Sequence, residues 1–190
     1  MKYSSTSSKP IGSVKYVILF LFCSITIISC TRKYRNTVVE KELKSFLGST
    51  IIFPENISIT FEEITSSRDF VLISYIDSTD CTPCALKHIE VYKFYKDQLK
   101  NQFNTEILLL IQNNDEEGVK KMLSDIGVPF PFLLDIEKKF KSINNIPDNP
   151  TYQTLIVDEQ RKIIWIGSPV ENKKTWELYQ KMMAKLSSKK

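Results

Sequence analysis

Phe70-Val-Leu-Ile-Ser-Tyr-Ile-Asp-Ser-Thr-Asp-Cys-Thr-Pro-Cys84 is the stretch on which the fold turns. Residues 70–76 are almost continuously apolar and β-branched, the pattern of a strand buried on both faces. Asp77-Ser-Thr-Asp80 is rich in turn and N-cap residues. Over residues 82–100, Ala85, Ile89, Tyr92 and Leu99 share one helical stripe, while Lys87, Glu90, Lys93 and Lys96 fall largely elsewhere. The spacing therefore predicts a strand-to-helix junction, with Cys81 near the helix N-terminus and Cys84 inside its first turn.

A thiolate, not a thiol, attacks, and a helix N-terminus stabilises negative charge through its free N–H groups and dipole. Cys81 is the exposed candidate nucleophile. Cys84, one turn deeper, is the candidate resolving thiol that attacks a mixed disulfide and releases the product. Pro83 suits an early helical position, where its missing N–H costs nothing. Asp80 acts in the opposite direction, because an adjacent negative charge disfavours a thiolate. His88, four residues after Cys84, lies on the same helical face; it either exchanges protons with the pair or packs against the sheet.

The chain has four cysteines, Cys23, Cys30, Cys81 and Cys84. Cys23 falls in an apolar leader, Tyr16-Val-Ile-Leu-Phe-Leu-Phe-Cys-Ser-Ile-Thr-Ile-Ile28, which follows a polar, basic start and precedes Ser29-Cys30. That order is a basic n-region, an apolar h-region and a small residue at a cleavage point. The run of about 13 residues is shorter than the roughly 20 a helix needs to span a bilayer. Ile27-Ile28-Ser29-Cys30 resembles the bacterial lipobox, which implies lipid transfer to the Cys30 thiol and cleavage before it. Residue 31 is Thr rather than the Asp that retains some lipoproteins at an inner membrane, which points to the outer one. With Cys23 removed and Cys30 blocked, Cys81 and Cys84 remain to serve each other or a partner. In an oxidising compartment such a pair forms a disulfide or is held reduced. His88 is the one histidine beside them, too few ligands for structural zinc, and no cofactor is called for.

Of 26 basic residues, Lys2, Lys9 and Lys15 precede residue 30, and none of the 22 acids does. The rest, 23 basic against 22 acidic, is close to neutral and offers no electrostatic footprint for nucleic acid. The expected organisation is a leader at 1–29, a lipidated tether with an amphipathic helix at 30–49 (Val39, Leu43, Phe46, Leu47), and one domain at 50–188. Thr50-Ile-Ile-Phe53 reads as a short strand ahead of that domain.

Downstream, Thr105–Gln112 reads as a strand, Glu116–Asp125 as a helix, Phe130–Asp135 as a strand and the residues to Ile143 as a short helix. Thr154–Asp158 and Ile163–Gly167 form a hairpin across Glu159-Gln-Arg-Lys162, and Trp176–Leu186 is the last helix. Alternating strands and helices argue for an α/β sheet. Joined to Cys-x-x-Cys and an export signal, this order resembles the thioredoxin superfamily, in particular its TlpA/redoxin-like branch of bacterial envelopes. The resemblance covers about residues 50–188. It implies a central mixed β-sheet flanked by helices, here with an N-terminal helix/strand extension, and a Cys81–Cys84 redox disulfide at a strand's C-terminal edge. It further implies protein or peptide thiols and disulfides in the cell envelope as substrates, a redox partner protein, and a periplasm-facing domain held to the membrane by Cys30.

Three positions depart from the family pattern. Asp80 stands where a Trp is frequent, and Tyr75 stands where thioredoxins carry a buried acid. The family's cis-proline position falls at Tyr152 or Gln153, with Pro150 two or three residues early, so Pro150, Tyr152 and Gln153 are the candidate substrate loop. These departures keep a second class in view, a binding or structural lipoprotein whose disulfide only stabilises. Ser78-Thr-Asp-Cys81 also resembles a peroxidatic Thr-x-x-Cys with Ser in the Thr place, but Ser74 stands where that motif has proline.

Overall fold

The computed structural model describes residues 40, 41, 43–78 and 89–187, with backbone only at 58 and 59. The leader, Cys23, Cys30 and the tether to residue 39 lie outside the described residues, as do residues 79–88 with Asp80, Cys81, Cys84 and His88. The chain divides after Ser45. Before that point the described residues are helical, with Lys44 paired to Glu40 at 2.7 Å.

The elements from residue 46 onward are α1 (Glu55–Thr65), β1 (Phe70–Ile76), α2 (Val91–Phe103), β2 (Thr105–Ile111), α3 (Glu116–Ile126), β3 (Phe132–Leu134), α4 (Lys139–Asn144), β4 (Thr154–Asp158), β5 (Ile163–Ile166) and α5 (Lys173–Ser187). Two 3-10 turns, Ile136–Lys138 and Pro150–Tyr152, precede α4 and β4. The strands lie in the order β3-β2-β1-β4-β5. β1, β2 and β3 run parallel, and β4 runs antiparallel to both its neighbours, β1 and β5, which is the expected mixed sheet flanked by helices.

β1 occupies the centre because all seven of its residues are buried. Its side chains alternate between two cores, as the pleat requires. Phe70, Leu72 and Ile76 pack with Tyr92 and Leu99 of α2 and Tyr179 of α5. Val71, Ile73 and Tyr75 pack with Phe61 of α1 and Phe140 of α4. Thus α1 and α4 cover one face of the sheet, and α2, α3 and α5 the other.

The expectation from sequence is corrected at four places. Residues 54–69 carry no element in that expectation, and the structure puts α1 there. Ile57, Phe61 and Ile64 supply its apolar face at i, i+4 and i+7. The short strand at Thr50–Phe53 is reduced to one bridge, Thr50 to Lys162. The ladder ends because the Asn144 side chain takes both backbone groups of Ile52, accepting from its N–H and donating to its C=O, each at 2.7 Å. β3 begins only at Phe132, because Pro129 and Pro131 have no N–H to give a ladder. α5 starts three residues before Trp176, where the Asn172 side chain accepts from Thr175 N–H at 3.0 Å.

Phe140 is fully buried, with its ring 5.2 Å from Phe53 and 6.1 Å from Tyr75. Phe140→Ala is expected to cost about 3–5 kcal/mol. Phe94→Ala, at a residue 85% exposed on α2, should stay within about 0.5 kcal/mol of wild type. Equilibrium urea unfolding of the two variants checks the contrast.

Candidate functional site

Cys81 and Cys84 lie outside the described residues, so the site is built from the frame around them. β1 delivers the chain as far as Ile76, Asp77 and Ser78, and helical backbone resumes at Ile89 ahead of α2. Between these ends lies a cleft of about 560 Å³. Ile76, Ile89 and Val170 give it apolar walls; Tyr92, Thr154 and Ser168 line it with hydroxyl-bearing side chains.

The Tyr92 hydroxyl donates to Ser168 Oγ at 2.8 Å, tying α2 to the segment after β5. Burial pushes the Tyr92 pKa up against the opposing bonds to Ser168 and Thr154, and the Glu171 charge adds to the rise. Tyr92 is therefore a neutral donor in the cleft wall.

The candidate substrate loop reaches the same cleft. Pro150 and Thr151 are exposed in the 3-10 turn, Tyr152 is half-buried, and Gln153 is buried. No cis peptide bond occurs among the described residues. Gln153 O accepts from Tyr75 N–H at 2.9 Å, which carries the β1–β4 pairing one step past Ser74↔Thr154. Its side-chain amide donates to Pro147 O and Asp148 O, both at 3.2 Å. One buried glutamine thus fixes both the loop and the strand that follows it.

Tyr75, in the place of the family's buried acid, is committed elsewhere. Its hydroxyl donates to Asp135 Oδ2 at 2.9 Å, and burial is the first of the effects that push its pKa far up, followed by the bond to Asp135 and the charges of Asp135 and Asp77. Asp135, also buried, accepts from Phe140 N–H at 2.8 Å and Lys141 N–H at 3.2 Å.

The charged groups that the expectation from sequence misses centre on Asp77, four residues before Cys81 and 1% exposed. Lys138 Nζ donates to Asp77 Oδ1 at 3.2 Å, and Lys141 Nζ donates to Asp77 Oδ2. Lys141 also pairs with Asp148 Oδ1 at 2.7 Å. Burial works against the Lys141 ammonium, but Asp148 and Asp77 together outweigh it and hold its pKa above the usual lysine value. A signal was present in sequence: Asp77 directly follows a strand buried on both faces, where a carboxylate needs a cation. Lys138 and Lys141 stand at i, i+3 in the segment that supplies it. Among the described residues, no three of His, Cys, Asp and Glu gather as metal ligands.

The sheet, the helices on both faces and the cleft at the end of β1 define a thioredoxin-like fold. The redoxin family profile matches residues 54–181. The chain belongs to the redoxin family. Among solved structures, a provisionally named thiol-disulfide oxidoreductase from Bacteroides vulgatus is similar at a TM-score of 0.50 and 14% identity, over 64% of this chain and 78% of that one. An uncharacterised thioredoxin-like protein from Porphyromonas gingivalis is 22% identical over 60% of this chain and 73% of its own, with a TM-score of 0.46. A provisionally named thiol:disulfide interchange protein DsbE from Chlorobium tepidum gives 12% identity, 62% and 82% coverage, and a TM-score of 0.48. No curated protein matches.

Removing the Tyr92 hydroxyl tests the cleft wall. Tyr92→Phe leaves Ser168 without its buried donor and is expected to cost about 0.5–1.5 kcal/mol, read as a lower urea midpoint at unchanged slope.

Proposed function

We propose that this protein is a lipid-anchored thiol–disulfide oxidoreductase of the bacterial cell envelope, with Cys81 as nucleophile and Cys84 as resolving thiol. The observation that carries the reading is the redoxin match over residues 54–181, which contains the Cys-Thr-Pro-Cys stretch between the end of β1 and α2. The apolar-walled cleft at the end of β1, with Pro150, Thr151 and Gln153 in its lining, supports the reading.

In the reductive direction, the Cys81 thiolate attacks one sulfur of a substrate disulfide. A mixed disulfide forms, and the other substrate sulfur leaves as a thiolate that takes up a proton. The Cys84 thiolate then attacks the Cys81 sulfur, closing the Cys81–Cys84 disulfide and releasing the second substrate thiol. Two electrons pass to the substrate, and a dithiol partner protein restores the pair. The oxidative direction is the same sequence reversed.

The chain organisation belongs to the same proposal: a leader at 1–29, Cys30 as the lipidated residue of the tether to 49, and the domain at 50–188 facing the periplasm from the outer membrane. Among the described residues no helix is long and apolar enough to cross a membrane. The hydroxyl of Tyr75, locked to Asp135, favours a second reading in which the disulfide only stabilises the fold.

The full-length chain is expected to catalyse dithiol-driven reduction of insulin, and Cys81→Ser to reduce the rate to background. Cys84→Ser should accumulate mixed disulfides at Cys81. Wild-type activity equal to that of the double serine variant rejects the enzyme and leaves the stabilising disulfide. A separate expectation concerns the anchor: labelled palmitate enters the wild-type chain in cells and is lost in Cys30→Ser.

A further inference from the structure

Among the described residues that line the cleft at the end of β1, Glu171 is the charged one. Ile76, Ile89 and Val170 make apolar wall, and Tyr92, Thr154 and Ser168 add hydroxyls. Glu171 is exposed, and no hydrogen bond or ion pair engages its carboxylate among the described residues. Lys173, two residues on, pairs with Glu177 at 4.0 Å instead. Burial is the main cause of the raised Tyr92 pKa, and the Glu171 charge adds to it. The carboxylate therefore stands within electrostatic reach of the cleft wall.

The backbone that carries Glu171 is held on both sides. Ahead of it, Gly167 N–H donates to Thr154 O at 2.7 Å, Ser168 Oγ accepts from Tyr92, and Pro169 and Val170 are buried. Behind it, Asn172 accepts from Thr175 N–H through its side chain and from Trp176 N–H through its carbonyl, each at 3.0 Å. The rim is thus ordered before any ligand arrives, which lowers the cost of binding.

A structural role for Glu171 is available, since negative charge near the start of α5 suits the helix dipole. That role needs no cleft. Apolar walls that end at an unpaired carboxylate match one kind of side chain closely. A lysine or arginine lays its methylene stem on apolar surface and carries its charge to the edge. An acidic residue in the same place meets like charge, and an aliphatic one gains nothing from the rim. We propose that the cleft docks an extended stretch of a partner polypeptide through one lysine or arginine, and that Glu171 is the residue that selects it. This rests on the oxidoreductase reading and names its substrate class, polypeptide thiols and disulfides close to a basic residue.

The test is fluorescence anisotropy on the full-length chain carrying Cys81→Ser and Cys84→Ser, in which no covalent bond forms. The probes are three dye-labelled, cysteine-free peptides, identical except for Lys, Gln or Glu at one central position. The lysine probe should bind about two- to fivefold more tightly than the glutamine probe, the scale of a partly exposed ion pair. The glutamate probe should bind more weakly than either. Glu171→Gln should abolish the difference between the lysine and glutamine probes, and Glu171→Lys should turn the preference toward glutamate. Added salt should shrink each preference. Glu171 is exposed, so both variants should keep the parent's urea midpoint closely. Equal binding of the three probes, binding of none at millimolar concentration, or a lysine preference that survives Glu171→Gln overturns the proposal and leaves Glu171 a charge at the start of α5. Reduction of the same residue series, built as disulfide peptides, by the otherwise wild-type chain is scored separately. A binding preference without reduction removes the enzyme and retains the cation site. Reduction with equal KM across the series retains the enzyme and removes the site.

Discussion

β1 is buried on both faces and bonded along both edges, and this constraint sets the position of everything else. A strand in that situation has no water to satisfy its N–H and C=O groups, so each must find a partner in the protein. β2 supplies them along one edge in full seven-residue register, and β4 supplies them along the other over Phe70–Ser74. The alternation of side chains then dictates two cores rather than one, with α2, α3 and α5 on one side and α1 and α4 on the other. Where β4 stops, the β1 edge would be left open at Tyr75, and Gln153 O closes it. The same residue anchors the 147–148 segment through its side chain. The rim of the cleft is thus continuous with the hydrogen bonding of the central strand, and a shift in one moves the other.

The segment from β3 to α4 is fastened to β1 by acids that point inward. Asp135 collects the Tyr75 hydroxyl and two backbone N–H groups; Asp77 collects two lysines. Isolated carboxylates at such depth would be strongly unfavourable. Each therefore enforces a specific arrangement of its partners, since losing one of them costs more than the pairing itself contributes. The anchoring sites differ in kind. Tyr75–Asp135 joins a neutral hydroxyl donor to an acid. Asp77 is held by ammonium groups and stands four residues before Cys81 in sequence.

How much of this was legible in the sequence follows from the range of the interactions involved. β1, β2 and β4 announce themselves because unbroken apolar runs have one physical explanation at that length. α3 does so because Asp115 and Gly127 bracket it, the first accepting from Gly118 N–H at 2.9 Å and the second turning left-handed at φ 67°. α1 is poorly legible although Ile57, Phe61 and Ile64 carry its period, because Ile and Thr are poor helix formers and the segment opens with no side-chain cap. The Thr50–Phe53 strand failed for a reason local pattern cannot contain: its partner is a side chain 92 residues away. The same holds for the site. Cys-x-x-Cys is read from spacing and the Pro150–Gln153 loop from the family resemblance, whereas the link from Lys141 to Asp77 and Asp148 exists only once α4 and two separate loops are brought together.

The backbone between β3 and α4 shows what that convergence requires. Glu137 and Lys138 both adopt left-handed conformations, with φ of 62° and 57°, and neither is Gly or Asn. Two such residues cost about 2–4 kcal/mol relative to ordinary backbone. The strain persists only if the surroundings over-determine it. Asp135 does part of this by accepting from the Phe140 and Lys141 N–H groups immediately after the turn, and hydrogen bonds to a charged group are worth about 1.5–3 kcal/mol each. Phe140, inserted between Phe53 and Tyr75, does the rest through burial. The left-handed pair reverses the chain within one turn, so that Phe140 enters the core while Lys138 and Lys141 both reach Asp77. The strained turn stands directly ahead of Phe140, which fills the core, and Lys141, which meets the buried carboxylate, so one short helix serves both.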